Sequence, residues 1–457
     1  MSDELQIIIM AAGLGTRMKS RTVKVLHRAA GRPLIDYVVD LAHEISDAPP
    51  VVVVGHQREA VQQHVGDRAR YAVQEQQLGT GHAVQQAIDQ IKAKEVLILS
   101  GDVPLTRAET LLRLIEEHRR SRNALTLLTM NLGDPGLYGR IVRDAKGAVE
   151  RIVEAKDANE QQRAIREVNA GIYIFDAGHL VSNLKKLSTN NAQGEYYLTD
   201  LIGMLRDDGK RVGALLTEDP VEVLGVNSRS ELATVEGEIQ RRVVERLMSE
   251  GVTFRNPSTV VIDSTVSIGP DTVVYPFVTL EGATRIGTGC VIEPGVHLQN
   301  VVVGNDVHLK TGTVAEDAVI EDEATVGPYA HLRPGTELAR HVKIGNFVET
   351  KKATFGEGAK ASHLSYIGDA EVGADVNIGA GTITCNYDGV SKHKTVLEDG
   401  AFIGSDTQLV APVRVGRGAY VGAGSTITKD VPPDSLALSR VPQKVVEGWA
   451  KQRRKKK

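Results

Sequence analysis

The chain has 457 residues, which is too long for one ordinary hydrophobic core and predicts two or three domains. Its formal net charge of -4 argues against a general nucleic-acid binder or a membrane-surface binder. Glycine is abundant at 45 residues, whereas aromatic residues make up only 4%. A core with so few aromatic side chains has to be filled by small and branched aliphatic residues, as the cores of repetitive β-structures are.

The first residues and the cysteine content favour a cytoplasmic protein. The opening MSDELQIIIM is acidic before a short apolar run, whereas a signal peptide has a basic flank and a longer apolar stretch. No segment approaches the roughly 18 apolar residues of a membrane span. Cys290 and Cys385 are too few for a disulfide framework, so we interpret them as reduced thiols. The basic end KQRRKKK is interpreted as a solvated tail.

Residues 1–227 alternate short apolar runs with amphipathic stretches. The runs QIIIM, VVVV and EVLILS have the length and composition of buried strands, and helical stretches separate them. This alternation predicts a Rossmann-like, doubly wound α/β domain with a mainly parallel sheet. Residues 228–251 then carry apolar side chains at helical spacing up to Gly251, which predicts one long connecting helix.

From Val252 onward, aliphatic residues recur every six positions, and glycine often follows them. A period of six fits neither a helix nor a plain strand, but it fits a coil with three flat faces and about 18 residues per turn. We therefore predict a β-helix of about ten coils over residues 252–437, with a C-terminal arm and basic tail over 438–457. Known rods of this kind often pack as trimers, so we expect a homotrimer. The aliphatic positions are Ile268, Val274, Leu280, Ile286, Ile292 and Leu298, then Val326, Leu332, Leu338 and Ile344, and later Ile403, Leu409, Val415, Val421 and Ile427.

Near the start, a glycine-rich segment follows the first predicted strand. Gly13 and Gly15 let the backbone approach an anion, and the helix N-terminus predicted after them favours negative charge. Arg17 and Lys24 add fixed positive charge that suits a triphosphate. A dinucleotide fingerprint, G-x-G-x-x-G, is excluded because Met18 stands at the third glycine position. We therefore predict a phosphate-binding loop.

Asp102 lies just after a predicted buried strand, in LILSGDVPL. In open α/β sheets, ligands bind at the carboxyl ends of the strands. A lone carboxylate there suits Mg²⁺, which keeps several waters and takes only one or two protein oxygens besides phosphate oxygens. A helix N-cap or a turn aspartate is the structural alternative, and Asp102 taken alone leaves it open.

With these features in place, residues 1–227 resemble the sugar-phosphate nucleotidyltransferase (pyrophosphorylase) family. Their pairing with a hexapeptide rod resembles the family of bacterial bifunctional N-acetylglucosamine-1-phosphate uridylyltransferase/glucosamine-1-phosphate acetyltransferases, over essentially the whole chain. This resemblance makes the rod a left-handed parallel β-helix. The further motifs that carry it are QEQQLGTGHA (74–83), GLYGRI (136–141), VEAKDA (153–158), EVNAGIY (167–173), NAQGEYYLTD (191–200) and VLGVNSR (223–229).

The resemblance implies two reactions. Glucosamine 1-phosphate is first acetylated by acetyl-CoA, and UMP is then transferred from UTP to N-acetylglucosamine 1-phosphate with release of pyrophosphate. The product would feed peptidoglycan and lipopolysaccharide synthesis. The resemblance makes Arg17 and Lys24 catalytic, and Asp102 and Asn227 the ligands of Mg²⁺. The substrate- and nucleotide-binding residues that it implies are Met10, Ala11, Ala12, Gly13, Lys24, Gln74, Gly79, Thr80, Ser100, Gly101, Asp102, Gly139, Glu154, Asn169 and Asn227.

The hexads break over residues 358–395, where a polar loop, Asn386–Lys394, is inserted. Insertions in a repeat rod project from one face and commonly build sites. Acetyl transfer to an amine needs a base, and His363 lies at the start of this region. A structural histidine is the alternative. Glu349 is a candidate to orient His363, and Cys385 is interpreted as a neutral neighbour.

The resemblance also implies the ligands of the second site. It gives the sugar-phosphate ligands as Arg333, Lys351, Tyr366, Asn377 and Lys392, and the acetyl-CoA contacts as Ala380, Asn386, Tyr387, Ser405, Ala423 and Arg440.

Two alternatives stay beside this interpretation. In the first, the chain has only the nucleotidyltransferase activity and the rod is a structural or regulatory module, although a plain spacer has no need of His363, the inserted loop or Arg440. In the second, the chain is a scaffold with a decayed transferase domain. The intact loop with Arg17 and Lys24, together with Asp102, argues against it.

Overall fold

The computed structural model describes residues 4–454 and divides into two compact units, with the boundary between Ile239 and Gln240. The part of the sequence that alternates strands and helices lies in the first unit, and the six-residue repeat lies in the second. The finer domain limits that the sequence suggests, at residues 227, 251 and 437, stay predictions. Among residues 4–454, no helix combines the length and the apolar character that a membrane crossing requires.

The first unit is built on a nine-stranded mixed sheet. The strands of this unit are Leu5–Met10 (β1), Arg28–Ala29 (β2), Arg32–Pro33 (β3), Val51–Val54 (β4), Arg70–Val73 (β5), Glu95–Ser100 (β6), Leu125–Asn131 (β7), Arg140–Arg143 (β8), Val149–Val153 (β9), Glu167–Asp176 (β10) and Val212–Leu216 (β11). The main path through the sheet is β11-β7-β10-β6-β1-β4-β5, with the hairpin β8–β9 attached to β10 and the small pair β2–β3 separate. The sheet is parallel except at β10 and the β8–β9 hairpin, which confirms the prediction of a mainly parallel, doubly wound sheet.

Helices cover both faces of this sheet, and one hydrophobic core lies on each face. Helices α1, α2 and α4 pack into the core that contains Ile9 and Val52, and α3, α6 and α7 pack into the core that contains Ile8 and Val53. Successive residues of the central strands therefore point into different cores, as expected for a strand that is buried on both sides. The helices are Leu34–Ile45 (α1), Arg58–Val65 (α2), Thr80–Gln85 (α3), Ala108–Ser121 (α4), Glu160–Arg163 (α5), Ala177–Leu184 (α6) and Asp200–Asp207 (α7).

The carboxyl edge of the sheet is where the predicted site residues can meet. Strands β1, β4, β5 and β6 are parallel, so the loops that follow them leave the sheet at one edge. Strand β10 runs the other way and pairs Tyr173 with Ile98, so the residues before Tyr173 reach the same edge. The sheet thereby brings residues from distant parts of the chain to one place.

The predicted connecting helix is present as Arg229–Ser249 (α8). Gly251, with φ of +100°, follows it and ends it in a backbone conformation that favours glycine.

The second unit is a parallel β-helix in which short strands repeat on three faces. The first face carries Thr253–Phe254, Val273–Val274, Val291–Ile292, His308–Leu309, Thr325–Val326, Lys343–Asn346, Lys360–His363, Asn377–Ile378, Phe402–Ile403, Tyr420–Val421 and Leu436–Ala437. The second carries Val261–Ile262, Thr279–Glu281, His297–Gln299, Val314–Glu316, His331–Leu332, Ile383–Cys385, Gln408–Val410 and Thr426–Ile427. The third carries Ser267–Ile268, Arg285–Ile286, Val302–Val303, Val319–Ile320, Glu337–Leu338, Thr395–Leu397 and Val413–Val415. Two longer strands, Glu349–Phe355 and Tyr366–Val372, continue from the second face onto the third, and a helix, Trp449–Arg454, lies near the end.

The hexad residues fill the interior of the rod, as predicted. Every aliphatic position named for the repeat is at most 5% exposed. The six-residue repeat shifts by one residue where a coil has 17 instead of 18 residues. Ile286 pairs with Val303, and Val303 with Ile320. The inserted loop lengthens one coil, because Val372 pairs with Leu397.

Candidate active sites

A cavity of about 420 Å³ opens at the carboxyl edge of the first unit's sheet. Its walls come from the loop after β1, the segment between β5 and α3, and the ends of β6 and of the segment before α8. The residues predicted from the sequence that lie on the wall are Met10, Ala11, Ala12, Gly13, Arg17, Lys24, Gln74, Gly79, Thr80, Ser100, Asp102 and Asn227.

The glycine-rich loop after β1 holds Lys24 at the cavity. Gly15 has φ of +62°, and a Cβ there would lie 2.8 Å from the Cβ of Lys24, so only glycine allows this approach. A Cβ on Gly13 would meet no atom within 4 Å, which leaves the backbone open to a ligand. Arg17 follows in a 3-10 turn, Thr16–Met18. The loop thus places two cations beside an accessible backbone, as phosphate binding requires.

Asp102 and Asn227 converge on one cation, the ammonium of Lys24. The Nζ of Lys24 donates to a carboxylate oxygen of Asp102 and, at 3.0 Å, to Oδ1 of Asn227. The carbonyl of Asp102 also accepts the N–H of Val226 at 2.9 Å, which fixes the two segments together. Two hard oxygen donors aimed at one point fit Mg²⁺. Within residues 4–454, no group of three or more His, Cys, Asp or Glu side chains is arranged for a metal, so a metal here would need phosphate or water oxygens as further ligands.

The segment around Gln74 and Gly79, which the resemblance links to substrate and nucleotide binding, is packed tightly. Gln74 is buried, and its Nε2 donates to the carbonyl of Gly79 at 3.1 Å. Gly79 has φ of +108°, and a Cβ there would lie 2.6 Å from the carbonyl of Tyr196. Gln77 and Glu195 also line the cavity, and sequence analysis missed them although each lies within a quoted motif.

Three of the predicted substrate-binding residues, Gly139, Glu154 and Asn169, form a cluster next to the cavity. The N–H of Asn169 donates to the carbonyl of Gly139 at 2.9 Å, and its Nδ2 donates to the hydroxyl of Tyr173 at 2.6 Å. Glu154 lies beside Gly139 and accepts from the hydroxyl of Thr199 at 3.2 Å. Burial raises the pKa of Glu154 above its usual value.

This cluster is linked to the cavity through Ser100. The hydroxyl of Ser100 donates to the carbonyl of Gly171 at 3.4 Å, and the N–H of Gly171 donates to Oδ1 of Asn169 at 3.0 Å. Gly101 is another predicted substrate-binding residue: its N–H donates to the carbonyl of Met10, and a Cβ there would lie 3.0 Å from Ile35.

In the second unit, His363 lies at a corner of the rod and is oriented by the preceding coil. Its Nδ1 lies 2.8 Å from Oδ1 of Asn346, with which it pairs in register. The prediction that Glu349 orients His363 is wrong, because Glu349 accepts from Arg333 at 2.8 Å instead. Since an amide oxygen only accepts hydrogen bonds, this contact favours a proton on Nδ1, and in the neutral ring Nε2 is then the nitrogen without a proton.

Three cations predicted to hold the sugar phosphate lie together on the adjoining face. The neighbouring ammonium of Lys392, and then Arg333, lower the pKa of Lys351 below the usual lysine value. The strand that starts at Tyr366, three residues after His363, runs beside Lys351. Cations that lie this close repel one another. A dianionic phosphate bound among them would offset that repulsion and stabilise their charged forms.

The inserted loop is held by Asp388. Its carboxylate accepts the N–H groups of Val390 and Ser391 at 2.8 and 2.7 Å, and the imidazole of His393 at 2.7 Å. The backbone N–H of Ser391 and the imidazole of His393 hold the pKa of Asp388 well below its usual range. These bonds fold the loop around Asp388, and Lys392 lies beside Lys351.

The residues predicted to contact acetyl-CoA follow one corner along successive coils. The carbonyl of Ala380 accepts the backbone N–H of the residue that follows Ser405, at 2.7 Å. In the same way, the carbonyl of Ser405 accepts the backbone N–H of the residue that follows Ala423, at 2.9 Å. Arg440 donates to the carbonyl of Ala423 at 2.7 Å. Because Ala361 pairs with Ile378, His363 and Ala380 lie at the same corner of neighbouring coils. The proposed base and cofactor contacts therefore form one continuous edge.

Three further predicted residues lie around this edge. Asn377 begins a strand and is half-buried. Asn386 is buried and donates to the carboxylate of Asp369, which anchors the base of the inserted loop. Tyr387 is 59% exposed and donates to the carbonyl of Gly389, so its ring is available to a ligand.

Cys385 is half-buried, and burial raises the pKa of its thiol, which lowers the fraction of thiolate. This agrees with the interpretation of Cys385 as a neutral neighbour.

Comparison with known proteins covers both units. The nucleotidyl transferase family matches residues 6–220, and the bacterial transferase hexapeptide family (six repeats) matches residues 394–429. The bifunctional protein GlmU of Syntrophotalea carbinolica is 53% identical over 98% of this chain and 97% of its own length. Those of Trichlorobacter lovleyi and Pelobacter propionicus are each 51% identical, over 98% and 99% of this chain and 98% and 100% of their own lengths. The chain therefore belongs to the family of bifunctional GlmU proteins.

Proposed function

We propose that the chain makes UDP-N-acetylglucosamine in two transfer reactions, one on each unit. The second unit transfers the acetyl group of acetyl-CoA to the amine of glucosamine 1-phosphate, releasing coenzyme A. The first unit then transfers UMP from UTP to the phosphate of N-acetylglucosamine 1-phosphate, releasing pyrophosphate. The observation that carries the proposal is that each unit gathers the residue types that its reaction needs, and the family is bifunctional.

In the uridylyl transfer, the protein positions two anions and neutralises their charge. The phosphate of the sugar attacks the α-phosphorus of UTP in line, and pyrophosphate leaves from the opposite side. Arg17 and Lys24 hold the triphosphate at the cavity, and Gln74 with Gly79 reads the uracil. No covalent intermediate with the protein is needed, since positioning and electrostatics account for the chemistry.

The sugar is held by the cluster beside Ser100. Glu154 and Asn169 offer an oxygen and an amide to its hydroxyl and N-acetyl groups, with Gly139 leaving room next to them. A cluster fitted to an N-acetyl group supports acetylation before uridylylation.

The metal ion of the first site is proposed to be Mg²⁺, held by Asp102 and Asn227. When bound, it would neutralise charge on the phosphates. The convergence of one carboxylate and one amide oxygen on a cation supports this donor set.

In the acetyl transfer, His363 acts as the general base. Its Nε2 takes a proton from the ammonium of glucosamine 1-phosphate, and the free amine attacks the thioester carbonyl. The C–S bond then breaks, and the coenzyme A thiolate leaves with the second proton of the amine. Arg333, Lys351 and Lys392 hold the phosphate of the sugar on the adjoining face. The small side chains of Ala380 and its counterparts on later coils leave space for a long, thin cofactor along the edge.

We also propose that the protein is a homotrimer of the rod. Tyr329, Phe347 and Leu364 lie at one corner of successive coils and are 54%, 56% and 61% exposed. The rings of Tyr329 and Phe347 stack with centroids 5.7 Å apart. Large apolar side chains stacked in the open are typical of an interface. Light scattering at micromolar concentration should give three times the chain mass, and a monomer would contradict this.

Mass spectrometry tests the whole assignment. Purified protein with glucosamine 1-phosphate, acetyl-CoA, UTP and Mg²⁺ should form N-acetylglucosamine 1-phosphate and then UDP-N-acetylglucosamine. Omitting acetyl-CoA should leave glucosamine 1-phosphate almost unused. We place both reactions in the cytoplasm, where UTP and acetyl-CoA are made.

A further inference from the structure

The side chain of Lys24 is bonded to the two residues proposed to bind the metal. Its ammonium donates to Asp102 and Asn227, and the side chains of the Lys24–Asp102 pair are only 15% and 16% exposed. The same ammonium lines the cavity that we assign to the phosphates of UTP. One cation therefore has two sets of anionic partners within reach.

The base of Lys24 is fixed while its outer part can turn. Gly15 lies against its Cβ, and Lys24 begins a 3-10 turn, Lys24–Leu26. A lysine side chain has several rotatable bonds beyond Cβ. A swing of the ammonium from Asp102 to a phosphate needs no change in the backbone.

A divalent ion and the ammonium of Lys24 compete for these oxygens. Asp102 offers one carboxylate and Asn227 one amide oxygen, and both already accept from Nζ of Lys24. A metal placed at that point would also lie within a few ångströms of a like charge, which is unfavourable in a half-buried site. Metal binding at this point is therefore stronger when the ammonium of Lys24 has moved away.

We infer that Lys24 is a resident cation that keeps the metal ligands occupied until nucleotide phosphates draw it away. Divalent metal and UTP then bind cooperatively. UTP draws the ammonium of Lys24 to its phosphates and so frees the metal ligands, and a bound metal in turn keeps Lys24 at the phosphates. Free metal alone binds weakly, and the metal enters together with the nucleotide. This inference rests on the proposed metal site at Asp102 and Asn227.

The test is the binding of Mn²⁺ alone, measured by electron paramagnetic resonance on the full chain without nucleotide. Lys24→Met should tighten Mn²⁺ binding by about fivefold to 150-fold, the usual range of coupling between sites. Lys19→Met removes an equal charge from an exposed position in the same loop and should change the affinity by less than about twofold. Asp102→Asn should lose most of the binding.

The outcomes separate the inference from the function on which it rests. If Lys24→Met leaves Mn²⁺ affinity unchanged while Asp102→Asn abolishes it, the metal site stands and the role of Lys24 is overturned. If Asp102→Asn binds Mn²⁺ as the wild type does, the metal site itself is wrong and the inference fails with it.

A crystal structure with Mn²⁺ and a non-hydrolysable UTP analogue gives a second readout. The ammonium of Lys24 should then contact phosphate oxygens and lie away from Asp102. A Lys24 that still donates to Asp102 beside a bound metal would overturn the inference.

Discussion

The two units build their sites in different ways. In the first, parallel strands end at one edge of a sheet, so residues as distant in sequence as Lys24, Asp102 and Asn227 meet in one cavity. In the second, each coil repeats the last, so Asn346 and His363 meet because they lie one coil apart. Because its residues come from distant parts of the chain, the first site depends on many segments. Because the coils repeat, the second site can extend along one corner of the rod. The two sites should therefore fail separately.

The largest effect is expected from removing the carboxylate of the first site. Asp102→Ala should lower uridylyl transfer by about 10³–10⁵-fold, the range found for groups that neutralise charge in phosphoryl transfer. Acetyl transfer should stay within about twofold, because Asp102 lies in the other unit. The two rates are measured separately on the purified variant, and parallel loss of both in a folded protein would break the comparison.

Removing the base of the second site should give the converse result. His363→Ala should lower acetyl transfer by about 10²–10⁴-fold, the usual contribution of a positioned base. Uridylyl transfer should be unchanged, and acetyl-CoA should still bind, since Ala380, Ser405 and Arg440 are intact. Steady-state rates and a binding titration check this. Acetylation within a few-fold of the wild type would make His363 a structural histidine.

A smaller effect is expected one coil away, at the residue that orients the base. Asn346→Leu should lower kcat of acetyl transfer by about 10-fold to 100-fold, as loss of a hydrogen-bond partner of a functional histidine does elsewhere. The KM values should change little, and the pH profile of kcat should shift. Asn346→Asp keeps an oxygen acceptor for Nδ1 and should recover most of the rate. Equal loss in both variants would contradict a positioning role.

The smallest effect concerns stability at the sugar cluster. Burial raises the pKa of folded Glu154 above its ordinary value of 4.5, so the ionised carboxylate lowers stability at neutral pH. Below pH 4.5 both folded and unfolded chains hold the proton, and this cost is absent. Glu154→Gln should thus raise Tm by about 2–4 °C at neutral pH, with the gain shrinking as pH falls towards 4.5.

The same substitution should raise KM for N-acetylglucosamine 1-phosphate, because an amide accepts fewer hydrogen bonds than a carboxylate. Glu150→Gln, at an exposed side chain within β9 shortly before Glu154, is the matched control and should change neither Tm nor KM. A Glu154→Gln protein that is less stable than the wild type at neutral pH would contradict the direction of the pKa shift.

Much of the architecture could be predicted from periodicity alone. A period of six fixes which side chains point inward, and those residues are buried. The convergence of Arg17, Lys24 and Asp102 could also be predicted, because they follow parallel strands. The position of Asn169 could not, since it depends on β10 running antiparallel, and apolar runs carry no strand direction.

The partner of His363 shows a second limit. The sequence offered Glu349 only as a candidate, whereas in the structure Asn346 contacts the imidazole. In a coil of 17 or 18 residues, the neighbour of a side chain is one coil away, and Asn346 stands 17 positions before His363. That offset was the signal that would have identified it. The orientation of Lys24 towards Asp102 depends on side-chain rotamers, which sequence patterns do not specify.

The most direct test of two independent sites is complementation in a mixture. Asp102→Ala protein and His363→Ala protein, each given glucosamine 1-phosphate, acetyl-CoA, UTP and Mg²⁺, should form almost no UDP-N-acetylglucosamine alone. Mixed in equal amounts, they should form it after a lag during which N-acetylglucosamine 1-phosphate accumulates in solution. A mixture that makes no product, although each variant keeps its other activity, would contradict independent sites joined by a free intermediate.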